Sequence, residues 1–157
     1  MTVIQKRLDV LLRHIANVKD NCLLLAQKLE ERGEGDFAIK LIANGHTHDN
    51  SKFHGIEWEY LHGDVKDSEP ELFKCAALQH VKNNQHHPEY WDSIHNMPRI
   101  YLAEHVPDIL ARSQEFGQCI NDWIENEAMA KYKYTKKDKT GKEIRGFLQL
   151  LLEGSFK

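Results

Sequence analysis

Cysteine is scarce in this chain of 157 residues. Cys22, Cys75 and Cys119 are odd in number, far apart and form no Cys-x-x-Cys pair. A disulfide framework or a thiolate zinc finger is therefore not expected; three buried free thiols are. Long apolar runs are missing. Nothing approaches the roughly 20 residues needed to cross a bilayer, so no membrane partner is expected. Excess positive charge is missing too: the net charge is −3 with histidines neutral, so no whole-chain pull toward nucleic acid exists. Val/Ile-rich strand segments, internal repeats and low-complexity tracts are also lacking, which leaves an all-α fold class. The N-terminal residues mix Arg7, Asp9, Arg13 and Asp20 among leucines, unlike a signal peptide, and the expected location is cytoplasmic. The length fits one domain over 1–157 with a core of its own.

Histidine is abundant: ten residues, most of them between His46 and His105. The helices that frame them can be read from apolar spacing. Ile4, Leu8, Leu11, Leu12, Ile15, Val18, Cys22, Leu25 and Leu29 predict a long first helix, ending near Arg32-Gly33, with His14 turned inward. A second helix is predicted from Asp36 to Asn44, closed by Gly45, with the polar run from His46 to His54 after it. Ser68 as N-cap, Pro70 and Glu71 read as the start of a helix that ends near Asn83. Gln85 to Trp91 reads as a loop. Pro98 opens a helix whose apolar period runs from Ile100 to Trp123, with Pro107 kinking or restarting it. Residues 131–145 hold Lys131, Lys133, Lys136, Lys137, Lys139, Lys142 and Arg145 and read as an exposed basic loop, followed by a short last helix at 143–154. The plain reading of that run is a solvated surface. The other is a rim for a phosphorylated ligand or a nucleic-acid strand, with Tyr132 and Tyr134 stacking on bases.

Adjacent His48 and Asp49 carry the chemical argument. Imidazole nitrogen and carboxylate oxygen both suit a divalent transition metal. Neighbouring residues reach one ion only where the backbone turns, and further ligands must come from other helices. His14 can supply one and Asp108 another, so that facing helices project donors to a shared point. An open coordination position would hold a water whose pKa the metal lowers. Other readings stay open: His14 as a satisfied core histidine, and Asp108 as a helix-start carboxylate after Pro107. Glu104, one turn before Asp108, can serve as a supporting partner or as a proton carrier. Arg13 can reach a substrate anion, and Glu89, Tyr90 and Trp91 can wall a pocket. His46, His54, His62, His95 and His105 are not expected as ligands.

The order His14, His48-Asp49, Asp108 resembles the H…HD…D signature of the HD superfamily of metal-dependent phosphohydrolases. Lys52 matches the lysine of HD-x-x-K. The stretches His48-Asp-Asn-Ser-Lys-Phe53 and Asn84-Gln-His-His-Pro-Glu-Tyr-Trp91 resemble a bacterial and phage branch of HD-like proteins. The resemblance spans roughly residues 10–125. It implies a compact HD-like bundle of about five to seven helices. It also implies a divalent transition metal (Mn, Fe, Co, Ni or Zn), one ion with two as the alternative, the second held by His80 with His86 or His87. The implied activity is hydrolysis of a small phosphorylated substrate such as a nucleotide, with catalytic roles for Asp49, Lys52 and Glu104. Lys52, Arg13, Glu89 and Trp91 would face the substrate. A di-iron HD-type oxygenase and a non-catalytic, metal-stabilised binding or regulatory module are the alternatives, and a homodimer is left open.

Overall fold

The computed structural model describes residues 1–153, which form helices and turns with no strand. Helix α1 runs Val3–Glu31. Thr2 opens it with a reciprocal capping box: its side chain accepts from the Gln5 amide, and Gln5 accepts from the Thr2 amide. Gly33, at φ +85°, turns the chain out of the helix. Helix α2 follows at Gly35–Thr47, then short helices α3 (Gly55–Tyr60) and α4 (Gly63–Ser68). Helix α5 (Pro70–Asn83) and helix α6 (Arg99–Phe116) flank the loop that carries His86 and His87. Helices α7 (Ile120–Trp123) and α8 (Met129–Tyr132) are joined by a π-helical stretch, Ile124–Ala128. Helix α9 (Lys139–Leu152) closes the fold. Among the described residues, five helices of 13 residues or more form the bundle: α1, α2, α5, α6 and α9. The all-α expectation holds. No helix of the described residues is long and apolar enough to cross a membrane.

α1 lies against α2, α6 and α9 and buries Val18, Cys22, Leu25 and Leu29 among Leu41, Val106, Ile144 and Phe147. Several local expectations are corrected. Gly45 does not close α2. It is buried within the helix at its crossing with α1, where a Cβ would stand 2.7 Å from the Cys22 Cβ. Glycine is there for close approach, and the helix runs on to Thr47. Ser68 ends α4, donating to the Asp64 carbonyl, and does not cap α5. α6 passes through Pro107 without restarting and stops at Gly117, φ +63°. The basic run is mostly not a loop. Asp138 accepts from the Gly141 amide and starts α9 at Lys139, and a Cβ at Gly141 would meet the Thr135 carbonyl oxygen at 1.8 Å. α9 ends at Leu152, and residue 154, the expected helix end, lies outside the described residues. Ile4 and Leu8 are exposed, because the first turns of α1 extend past the core, and Leu12 is exposed on the outer face of the helix beside the buried Leu11 and His14. Of the three thiols only Cys22 is buried; Cys75 and Cys119 are exposed.

Candidate metal centre

The His48-Asp49 pair sits where α2 ends. His48 is the last half-helical residue, and Asp49 adopts a left-handed backbone, φ 58° and ψ 18°. Aspartate tolerates that region better than most residues. The turn lets consecutive side chains face one point, with His48 Nε2 3.5 Å from Asp49 Oδ1. The 3₁₀ turn Asn50–Phe53 then brings Lys52 back, its buried Nζ 2.6 Å from Asp49 Oδ2.

Three further helices and a loop converge there. α1 contributes His14, whose Nε2 is 3.1 Å from Asp108 Oδ1 of α6 and 3.6 Å from Asp49 Oδ2. The last turn of α5 contributes His80 and the following loop His86, each with Nε2 3.3 Å from Asp49 Oδ1. His87 Nε2 lies 2.9 Å from His80 Nε2. Donor atoms thus gather in three overlapping groups, His14–His48–Asp108, Asp49–His80–His86–His87 and His48–His86–Glu104. Two ligand atoms about 2.1 Å from one ion stand about 3.0 Å apart at a right angle and about 3.4 Å apart at the tetrahedral angle. The spacings fit, and these buried clusters could hold a metal ion.

Behind the donors stands a ring of carboxylates. His14 Nδ1 donates to Glu115 Oε1 at 2.9 Å, and His80 Nδ1 to Glu57 Oε2 at 2.7 Å. Glu104 Oε1 accepts from His48 Nδ1 at 2.9 Å and lies 3.2 Å from His86 Nδ1. A proton held on Nδ1 turns the Nε2 lone pair inward, which is how ligating imidazoles are fixed. Among the described residues, the buried His14 Nε2, His48 Nε2, His86 Nε2 and Asp49 Oδ1 have no hydrogen-bond partner. Buried polar atoms are rarely left so.

The electrostatics follow from this crowding. Burial pushes Asp49 up, but Lys52, His48 and the nearby imidazoles of His80 and His86 hold it well below the usual carboxylate range. Burial likewise opposes ionisation of Asp108, and His14, His48 and His86 outweigh it. Burial pulls His86 down, yet Asp49 and Glu104 raise it to about 10. His87 has no such partner; burial and the neighbouring His86 press it down to about 2.

The model of the family DUF5662, described as a family of unknown function, matches residues 4–153. The chain belongs to this family. No curated protein and no solved structure matches it. The DUF5662 span includes every donor and every supporting carboxylate of the centre.

The remaining expected site residues divide. Lys52 is at the centre. Glu104 is behind it, in the supporting role, because its hydrogen bond to His48 and its close approach to His86 Nδ1 tie it to the rings. Arg13 is not at the centre: its side chain is 65% exposed and pairs with Asp9, since successive helical residues point about 100° apart. Glu89 turns to α8, 3.1 Å from Lys131 Nζ and 3.2 Å from Tyr132 Oη. Trp91 packs beside Tyr101 and donates its indole N–H to the Gln85 carbonyl, which is core packing and not a pocket wall. Among the described residues, His46, His54, His62, His95 and His105 join none of these groups. Sequence reading missed Glu57 and Glu115. Glu115 had a signal, as Glu104, Asp108 and Glu115 recur at four and seven residues on one helix face. Glu57, in a short helix, had none.

Proposed function

We propose that the chain is a metal-dependent phosphohydrolase of the HD type, acting on a nucleotide or another small phosphorylated metabolite. One observation carries this reading: buried imidazole Nε2 atoms and Asp49 Oδ1 face each other without hydrogen bonds, while carboxylates hold the far ring nitrogens. A buried polar atom left unpaired costs about 1–3 kcal/mol, and a shared cation removes that cost. His14, His48, Asp49 and Asp108 would hold one divalent transition-metal ion, with Mn, Fe, Co, Ni and Zn all suited to these donors. Asp49, His80, His86 and His87 would hold a second. When bound, such an ion supplies a Lewis acid that acidifies water toward neutral pH and draws charge from a phosphoryl oxygen.

The chain's own residues do the rest. Lys52 places a buried positive charge beside Asp49, where charge builds on the phosphoryl group. Glu57, Glu104 and Glu115 keep the rings still, so the site does not reorganise during reaction.

The first prediction tests this directly. Asp49→Ala should lose both metal content and turnover, measured by elemental analysis of untagged protein and a phosphoester screen with the metal found. Full activity in a metal-free Asp49→Ala protein would overturn the reading. Turnover that requires iron and oxygen would move the chain to the oxygenase alternative. Metal uptake without turnover would move it to the binding-module alternative.

A further inference from the structure

Each supporting carboxylate has its own pattern of partners. Glu115 Oε1 accepts from His14 Nδ1 and Asn17 Nδ2, and it serves one donor group through His14 alone. Glu57 Oε2 accepts from His80 Nδ1 and Ser51 Oγ, and it serves the other group through His80 alone. Glu104 differs. A single oxygen, Oε1, lies 2.9 Å from His48 Nδ1 and 3.2 Å from His86 Nδ1. His48 belongs to the group with His14 and Asp108, His86 to the group with Asp49, His80 and His87, and the two rings join Glu104 itself in a third. The two rings are close, with centroids 4.2 Å apart, and all three side chains are buried.

We propose that Glu104 is a positioning residue shared by two metal positions, one carboxylate oxygen setting the tautomer and tilt of a ligand in each. This rests on the metal reading given above. The physical consequence is a graded dependence. A ring that loses the acceptor behind Nδ1 loses its fixed orientation, and affinity at its position falls about 10–100-fold. Glu115 and Glu57 each govern one position. Glu104 governs both, because its oxygen cannot be removed from His48 without also being removed from His86.

The test is a titration of chelator-treated full-length protein with Zn²⁺ alone, read by equilibrium dialysis and elemental analysis. Wild type should take up two equivalents. Glu115→Ala should weaken one of them about 10–100-fold and Glu57→Ala the other, while Glu104→Ala weakens both. A Glu104→Ala protein that weakens one equivalent or neither overturns the proposal. Uptake of a single equivalent by wild type also overturns it and leaves a one-metal reading standing; no uptake at all removes both. Should Glu104→Ala fail to fold, imidazole ¹⁵N spectra of the Zn²⁺-loaded wild type decide. Protected protons on Nδ1 of both His48 and His86 support the shared acceptor, and a bare Nδ1 on either ring overturns it.

Discussion

Along α1 the packing changes character. Near its middle the helix meets α6 through polar groups: His14 and Asn17 reach Glu115, and Asn21 reaches Gln114 and the Pro107 carbonyl. From Cys22 to Leu29 the same helix buries Cys22, Leu25, Ala26 and Leu29, and Leu29 lines the recess shared by Phe147 and Leu150. The polar half is held by direction, because hydrogen bonds weaken steeply with misalignment. The apolar half is held by area and volume. The first fixes donor positions and the second supplies most of the stability, so each can be damaged with limited harm to the other.

Phe147→Ala should have the largest effect on stability. Phe147 is fully buried and stacks on Phe37 at 6.4 Å between centroids. Truncation should cost about 3–5 kcal/mol by chemical denaturation, with ion stoichiometry unchanged; altered stoichiometry would show that the two halves are not separable. Metal removal should act from the other side. Chelation should lower stability by about 4 kcal/mol where free ion stood at a thousand times its dissociation constant. The matching drop in melting temperature should be smaller in Asp108→Asn, which lacks one carboxylate of the centre.

Gly45→Ala probes the seam between the halves. Its new Cβ would stand 2.7 Å from the Cys22 Cβ, and overpacking of this kind costs about 1–3 kcal/mol. Because it pushes α2, which ends in His48, away from α1, which holds His14, it should also weaken metal uptake, an effect Phe147→Ala should lack. The smallest effect lies outside both halves. Burial pushes Glu89 up, but its own backbone amide, Lys131 and Tyr132 outweigh this and hold it below the usual 4.5. A depressed carboxylate stabilises the fold above the unfolded value, and that contribution is lost as pH falls from 4.5 through the folded value. The stability of Glu89→Gln should therefore fall less steeply than wild type over that acid range; identical slopes would show that the ion pair contributes nothing.

How much could be read in advance follows the kind of force involved. The apolar stripe of α1 from Leu11 to Leu29 and the inward His14 are consequences of helical period, and they were legible. So was the order His14, His48-Asp49, Asp108, because each residue type has donor chemistry of its own. Gly45 was misread as a helix breaker, and Gly141 lies in the run misread as a loop. Their role depends on what crosses them, and neither Cys22 nor the Thr135 carbonyl is a local neighbour. Glu57 and Glu115 were missed for the same reason. A carboxylate that supports a distant imidazole has no local mark, and the helical recurrence of Glu104, Asp108 and Glu115 looks like any acidic face until its surroundings are known. The position of Lys52 beside Asp49 was legible only through the motif, since three residues after Asp49 would ordinarily be a solvated position.

The left-handed corner at Asp49 bears on how this centre can change over time. Alanine there would carry about 1–2 kcal/mol of main-chain cost, so Asp49→Asn is the companion variant that separates a lost charge from a disturbed backbone in the Asp49→Ala test. Asparagine shares the short polar side chain that eases the corner and gives up only the charge. A relative carrying His-Asn at this place would thus be expected to keep the bundle while abandoning the ion, and a relative with Gly at the second position would have relaxed the corner altogether.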